Sequence, residues 1–198
     1  MIIAGAGGLG LEIMSVLIDN GYTNEIFFYD KNPKKGGVLF NEFPVITDDE
    51  SLQEVLIKNP NFIVGIGHPR LRERMYNKLL MLGGTPVNVV SKRASVFQYL
   101  EPFQGCFIEP GSGISHGTIL GTGSAIHINS TIGHSVKLGK FANIGPGANI
   151  VGPCVIDDYA YISVGAIVLP NITVGKYAIV AANKVAHRDI ADYELFEG

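Results

Sequence analysis

TIGHSVKLGKFANIGPGANI, residues 131–150, repeats itself every six positions: Ile132, Leu138, Ile144 and Ile150 recur in step, and four residues after each comes Val136, Ala142, Ala148 or Cys154. Outward from this stretch the phase holds without a gap. It runs back through Ile126, Leu120 and Ile114 to Ile108, and on through Ile156, Ile162, Val168 and Val174 to Val180. The second slot is small or β-branched throughout, from Ser112 to Ala178. A period of six fits neither the 3.6 of a helix nor the 2 of an ordinary strand. It is the period of a parallel β-helix, in which each hexad is one short strand and one corner. Three hexads close a triangular coil, so each aliphatic stacks on its equivalent one coil away. Such coils bury a continuous apolar column.

Composition bounds the rest. A net charge of −3 over 198 residues gives no broad attraction for nucleic acid or anionic lipid, and no basic arm is present. No uncharged apolar run reaches the roughly 18 residues that span a bilayer, and MIIAGAGG lacks the features of a signal peptide. Membrane insertion is therefore not expected, and a cytoplasmic location is. Cys106 and Cys154 read as reduced, buried thiols, Cys154 in a small slot of the repeat.

Residues 1–90 alternate strand and helix instead. Strands are expected at Met1–Ala4, Glu25–Tyr29, Asn61–Ile66 and Pro86–Val90. Helices are expected at Leu11–Asp19, at Asp49–Lys58 with Asp48 or Asp49 as cap, and at Arg70–Leu82 with Pro69 in its first turn. The fold expected is a small Rossmann-like open parallel sheet over 1–90, followed by a parallel β-helix over 91–198. Val96 is in phase with the later hexads and marks a degenerate first coil.

Gly5, Gly7 and Gly10 fit G-x-G-x-x-G after a strand and at the opening of a helix, the context in which a backbone can approach a diphosphate. The same glycines also suit a plain tight turn. Asp30, 20 residues beyond Gly10, is placed to accept from a ribose hydroxyl. A nicotinamide cofactor is disfavoured, because the domain is too short for a second mononucleotide half. Gly67, after the third strand, is expected at the same crevice; His68 suits either that crevice or an exposed turn. Lys31 is within reach of a phosphate or ring. In the hexads, His116 and His134 lie one coil apart in one column, with His127 elsewhere. A histidine can deprotonate an amine or hydroxyl nucleophile, and can equally be a polar residue on an outer wall. No paired spacing supports a metal site, so no metal is expected.

GAGGLG, YDKN, GIGHP, the IGHS hexad and VLPNITVGK together resemble the NeuD/PglD-type bacterial sugar O- and N-acetyltransferases, over nearly the whole chain. The resemblance implies a left-handed β-helix of hexapeptide repeats, acetyl-CoA as co-substrate, and a UDP- or dTDP-linked amino sugar in glycan or surface-polysaccharide assembly. It implies a homotrimer with coenzyme A in the groove between prisms. It implies His134 as general base, with Ser135 where relatives commonly carry an acidic residue. Asn143 stands where a second histidine is frequent near the thioester, and Val164 and Ala182 match coenzyme A contacts. Gly7, Gly8, Leu9, Asp30, Lys31 and Gly67 match the nucleotide-sugar contacts, with Leu9 where a histidine is usual. Relatives run on beyond the position of Gly198, so a little of the coenzyme A groove is expected to lie past it. Two alternatives remain beside this reading. One is a nucleotide-sugar-binding scaffold whose catalytic site has decayed, suggested by Ser135 and Asn143. The other is a metal-dependent hydratase on the same prism.

Overall fold

The computed structural model describes every residue except Pro102. It divides into two compact units, Met1–Val89 and Val90–Gly198.

The first unit is a six-stranded sheet in the order β3-β4-β2-β1-β5-β6. Its strands are β1 (Ile2–Ala4), β2 (Phe27–Tyr29), β3 (Gly37–Leu39), β4 (Phe43–Ile46), β5 (Asn61–Val64) and β6 (Thr85–Pro86). All neighbours run parallel except β3 against β4. The central strand β1 is apolar on both faces because both are covered: Ile2, Ile3 and Ala4 are fully buried, beside Phe28 and Phe62. Three helices join the strands: α1 (Gly8–Asp19), α2 (Asp49–Lys58) and α3 (Pro69–Met81). Ile13, Val16 and Leu17 form the buried face of α1, as their spacing predicts. Asp48 caps α2 by accepting from the Ser51 N–H at 2.8 Å.

Three features differ from expectation. Helix α1 begins at Gly8, inside the glycine turn, rather than at Leu11. The β3–β4 hairpin turns on Phe40 and Asn41, both in the left-handed region, a pair without the Asn-Gly signature of such turns. The expected strand Pro86–Val90 is broken. Thr85–Pro86 stays on the edge of the first sheet, while Val89–Val90 opens a wall of the second unit.

That second unit is a left-handed parallel β-helix with three walls, of six, four and seven strands. Up to the closing coil, rungs join residues 18 apart: Ile114 pairs with Ile132, Leu120 with Leu138, and Ile126 with Ile144. The column Ile108 to Val180 is buried along its whole length. Val96 pairs with Ile114, so the first coil does include it. The small slots are buried too. Where they carry hydroxyls, backbone carbonyls satisfy them: Ser112 donates to His127 at 3.0 Å and Thr118 to Gly133 at 2.9 Å in the next coil, while Ser124 and Ser130 donate to Gly121 and His127 three residues back. Corners fall at left-handed residues every six positions, among them Asn129, Ser135 and Phe141. The closing coil is two residues short, since Val174 bridges Ile190 and Val180 pairs with Phe196. Cys106 and Cys154 are buried and free.

Candidate functional site

The glycines of the first unit do two different jobs. Gly5 lies at φ +116°, a backbone conformation that L side chains rarely adopt, and a Cβ there would also meet the Gly65 carbonyl. A Cβ on Gly65 would sit 2.6 Å from the Gly10 Cα, and one on Gly10 would overlap the Gly5 carbonyl oxygen. These three let α1 press against the ends of β1 and β5. Gly8 and Gly67 have nothing over them within 4 Å, and Gly7 has only the Lys35 ammonium, at 3.8 Å. Gly7 is the N-cap of α1 in extended conformation, and no side chain caps the helix. The first amides of a 12-residue helix are thus left without a side-chain acceptor, beside open space.

Beyond the carboxyl ends of β1, β2 and β5 lies a cavity of about 500 Å³, lined by Gly5, Tyr29, Asp30, Lys31, Ile66, Leu71, Arg74, Met75 and Lys78. It includes Asp30 and Lys31, as expected. Gly7, Gly8, Leu9 and Gly67 flank the strand ends without lining it, and His68 is an exposed N-cap of α3. Asp30 ties the turn together: its carboxylate accepts from the Ala6 N–H at 3.1 Å, the Asn32 N–H at 3.0 Å and the Lys35 ammonium at 2.8 Å. Burial by itself would raise its pKa, but these hydrogen bonds and the Lys35 charge outweigh it and hold the carboxyl below its ordinary value. Arg72, buried, donates to the carbonyls of Ile66 and Gly67 at 3.0 and 2.9 Å and so fixes the loop after β5.

The far wall of the cavity went unread in the sequence. Leu71, Arg74, Met75 and Lys78 follow one face of α3 at helical spacing, a signal that was available. The Tyr29 hydroxyl donates to Asp49 at 2.5 Å and accepts from Lys78 at 2.6 Å. Burial first, then the Asp49 carboxylate, pushes the Tyr29 pKa up; the Lys78 and Tyr29 hydrogen bonds pull that of Asp49 down.

On the β-helix the histidines separate into two groups. His134 is exposed just before the Ser135 corner. Its ring stacks on His116 at 5.5 Å between centroids and 9° between planes, and its Nδ1 lies 3.4 Å from the Ser135 Oγ. Among the described residues no carboxylate pairs with it. His127 is the histidine with a carboxylate: its Nδ1 is 2.8 Å from Glu109 Oε1 and its Nε2 is 3.2 Å from Asn143 Oδ1. Glu109 is buried, and its second oxygen accepts from the Ile128 N–H at 2.8 Å. His134 lies in the corner between the six- and four-stranded walls, and Asn143 lies on the seven-stranded wall opposite that corner. Val164 and Ala182 are exposed one coil apart on a further edge. The sequence offered no reason to join Glu109 to His127, although their spacing of 18 residues is one coil.

The architecture of an α/β unit with an uncapped helix N-terminus, followed by a histidine-bearing hexad prism, is shared with known acetyltransferases. Residues 1–79 match the family model of the PglD N-terminal domain. The chain is 27% identical over 175 residues to a GDP-perosamine N-acetyltransferase of Escherichia coli O157:H7, covering 86% of this chain and 78% of that protein. Among solved structures it is similar to PerB from Caulobacter crescentus in complex with CoA and GDP-perosamine, with a TM-score of 0.87 and 27% identity, covering 96% of this chain and 90% of that one. The acetyltransferase domain of PglB from Neisseria gonorrhoeae FA1090, in complex with acetyl coenzyme A, gives 0.87 and 26%, covering 96% and 92%. Sequence and architecture together make the chain similar to sugar acetyltransferases of the NeuD/PglD type, and support an acyltransferase.

Proposed function

We propose that the protein transfers an acetyl group from acetyl-CoA to the amine of a nucleotide-linked amino sugar in bacterial glycan or surface-polysaccharide synthesis. The observation that carries this reading is the open backbone at Gly7 and Gly8, on an uncapped helix start, in a chain that follows structures holding CoA and GDP-perosamine over 96% of its length. The diphosphate lies against the first turn of α1, contacted by Gly7, Gly8 and Leu9. The nucleoside takes the cavity beside Asp30, Lys31 and Gly67. Lys31 and Arg74 add positive charge at that cavity.

His134 removes the proton as the amine nitrogen attacks the thioester carbon. The C–N bond forms, the C–S bond breaks, and coenzyme A leaves with a proton. Ser135 orients the imidazole. Asn143, Val164 and Ala182 contact acetyl-CoA. One prism holds His134 at a corner and Asn143 on the opposite wall, so a site using both takes them from two subunits of the homotrimer proposed here. Among the described residues no helix is long and apolar enough to cross a membrane. We place the enzyme in the cytoplasm, where acetyl-CoA is made.

A thiol-release assay with UDP-, dTDP- and GDP-linked amino sugars, and their hydroxyl counterparts, tests the reading. The family resemblance favours the first two carriers, and the perosamine enzymes bring in the third. His134→Ala is expected to lower kcat by about 10²–10⁴-fold with both substrates still bound. A wild-type protein that binds these sugars but releases no thiol would instead support the scaffold reading, which the lack of a carboxylate at His134 motivates.

A further inference from the structure

We propose that Glu109 and His127 are positioning residues that hold the Asn143 carboxamide as an oxyanion donor for acetyl transfer. The inference rests on the functional reading above, in which Asn143 meets the thioester.

The hydrogen-bond chemistry of the cluster decides the roles. The Glu109 carboxylate only accepts, and one of its oxygens is already taken by the Ile128 N–H. The His127 Nδ1 at 2.8 Å from the other oxygen therefore carries a hydrogen. The Nε2 faces the Asn143 carboxamide, 3.2 Å from Oδ1. With one nitrogen against Glu109 and the other against Asn143, neither is turned toward a substrate proton. It is not a second base, and its effect passes to Asn143.

There the carboxamide is fixed by its oxygen, and its Nδ2 is left over. Among the described residues it is the one buried side-chain polar atom without a hydrogen-bond partner, on a residue 1% exposed. Buried donors are normally paired, so an uncommitted one beside a buried carboxylate–imidazole pair calls for an acceptor from outside. Because Ile144 points into the prism, Asn143 points away from it, onto the outer face of its wall. A fixed, water-excluded N–H is the kind of donor that stabilises a developing oxyanion. As the sugar amine attacks, the thioester oxygen gains negative charge and accepts from Nδ2. The charge returns to the carbonyl as the C–S bond breaks.

The test uses the full chain with acetyl-CoA and the most active sugar of the panel. Asn143→Ala should lower kcat by about 10²–10³-fold, the scale of losing one oxyanion donor, with little change in the KM for the sugar. His127→Ala and Glu109→Gln should each lower kcat at least about tenfold, and His127→Gln, which keeps a donor, should recover part of the loss. Since His127 acts only through Asn143, the double variant His127→Ala/Asn143→Ala should be no slower than Asn143→Ala alone. Multiplying losses, or an Asn143→Ala enzyme of normal kcat, would overturn the proposal while leaving the functional reading intact. If the wild type is inactive on every sugar, that reading fails instead, and nitrogen NMR decides the inference. The expected result is an Asn143 NH₂ signal that shifts when acetyl-CoA is added and again when His127 is replaced by alanine. An NH₂ signal indifferent to either change overturns it.

Discussion

Two glycine substitutions, Gly65→Ala and Gly8→Val, separate the glycines that hold the sheet from those that face a ligand. At Gly65 a methyl group would lie 2.6 Å from the Gly10 Cα and 2.9 Å from its nitrogen, where ordinary contact begins at 3.4 Å. Both neighbours are backbone, so α1 must retreat from β5 by several tenths of an ångström. Overpacking of this kind costs about 1–3 kcal/mol, and an unyielding backbone puts Gly65→Ala at the upper end. For a unit the size of Met1–Val89 that is a fall in melting temperature on the order of 10 °C. Gly8 is the opposite case. It is exposed, outside the left-handed region and clear of atoms within 4 Å, so valine meets neither strain nor clash. Stability should stay within about 0.5 kcal/mol. An isopropyl group at that point fills the space of a phosphate and removes one or two charge-assisted hydrogen bonds. At about 1.5–3 kcal/mol each, affinity falls at least roughly tenfold. Thermal unfolding and titration calorimetry with the three nucleotide sugars measure both quantities. A Gly8→Val protein of unchanged stability and unchanged affinity would refute the assignment of that turn to a diphosphate.

Ala142→Glu puts a carboxylate into a fully buried small slot without a partner, and a loss of more than about 3 kcal/mol is expected in denaturant unfolding; full stability would mean the register is misassigned. Asp30 has a folded pKa below its ordinary 3.8. Its contribution to stability is therefore complete above about pH 4 and is lost as the pH falls below 3.8 through the folded value. Asp30→Asn should destabilise at pH 6 by more than at pH 3, and a gap between mutant and wild type that does not shrink toward pH 3 would contradict this. His116→Ala removes the ring stacked on His134; at about 0.5–1.5 kcal/mol for an aromatic pair, kcat should fall roughly two- to tenfold, while His116→Phe keeps the stack and the rate.

The β-helix was legible because its period is carried by thirteen aliphatics in unbroken phase, and periodicity survives any ambiguity about individual residues. What escaped were the places where the period stops. Val90 is in phase with Val96, but a lone valine at the end of Pro86–Val90 reads equally as the close of the previous sheet. At the other end, the step from Ala186 to Ile190 is four residues instead of six, and the chain absorbs it by shortening the last coil. The β3–β4 hairpin was missed for a local reason. Its strands are three and four residues long, and its turn is made by Phe40 and Asn41, neither of which announces a reversal in sequence.

Site residues were legible in proportion to how local their arrangement is. Gly7, Gly8, Asp30 and Lys31 belong to two short motifs on adjacent strands, and the sheet brings them to one end as parallel order requires. Leu71, Arg74, Met75 and Lys78 share a helix face but no motif, so only the cavity brings them together. The histidines make the same point more sharply. His134 drew attention through the hexad it sits in, yet its nearest polar partner is Ser135 at 3.4 Å. His127 and Glu109 are one coil apart, a spacing visible in the sequence, but nothing there says that residue 109 is buried or that its carboxylate turns toward the ring. A β-helix makes this kind of site easy to build and hard to read. Any two outward residues 18 apart become neighbours, so a carboxylate–histidine pair can sit on any wall without disturbing the inward repeat. The carboxylate pairs with His127, and His134, on another side of the prism, has none among the described residues. This locates the buried polar chemistry of this prism one hexad earlier than the IGHS motif suggests.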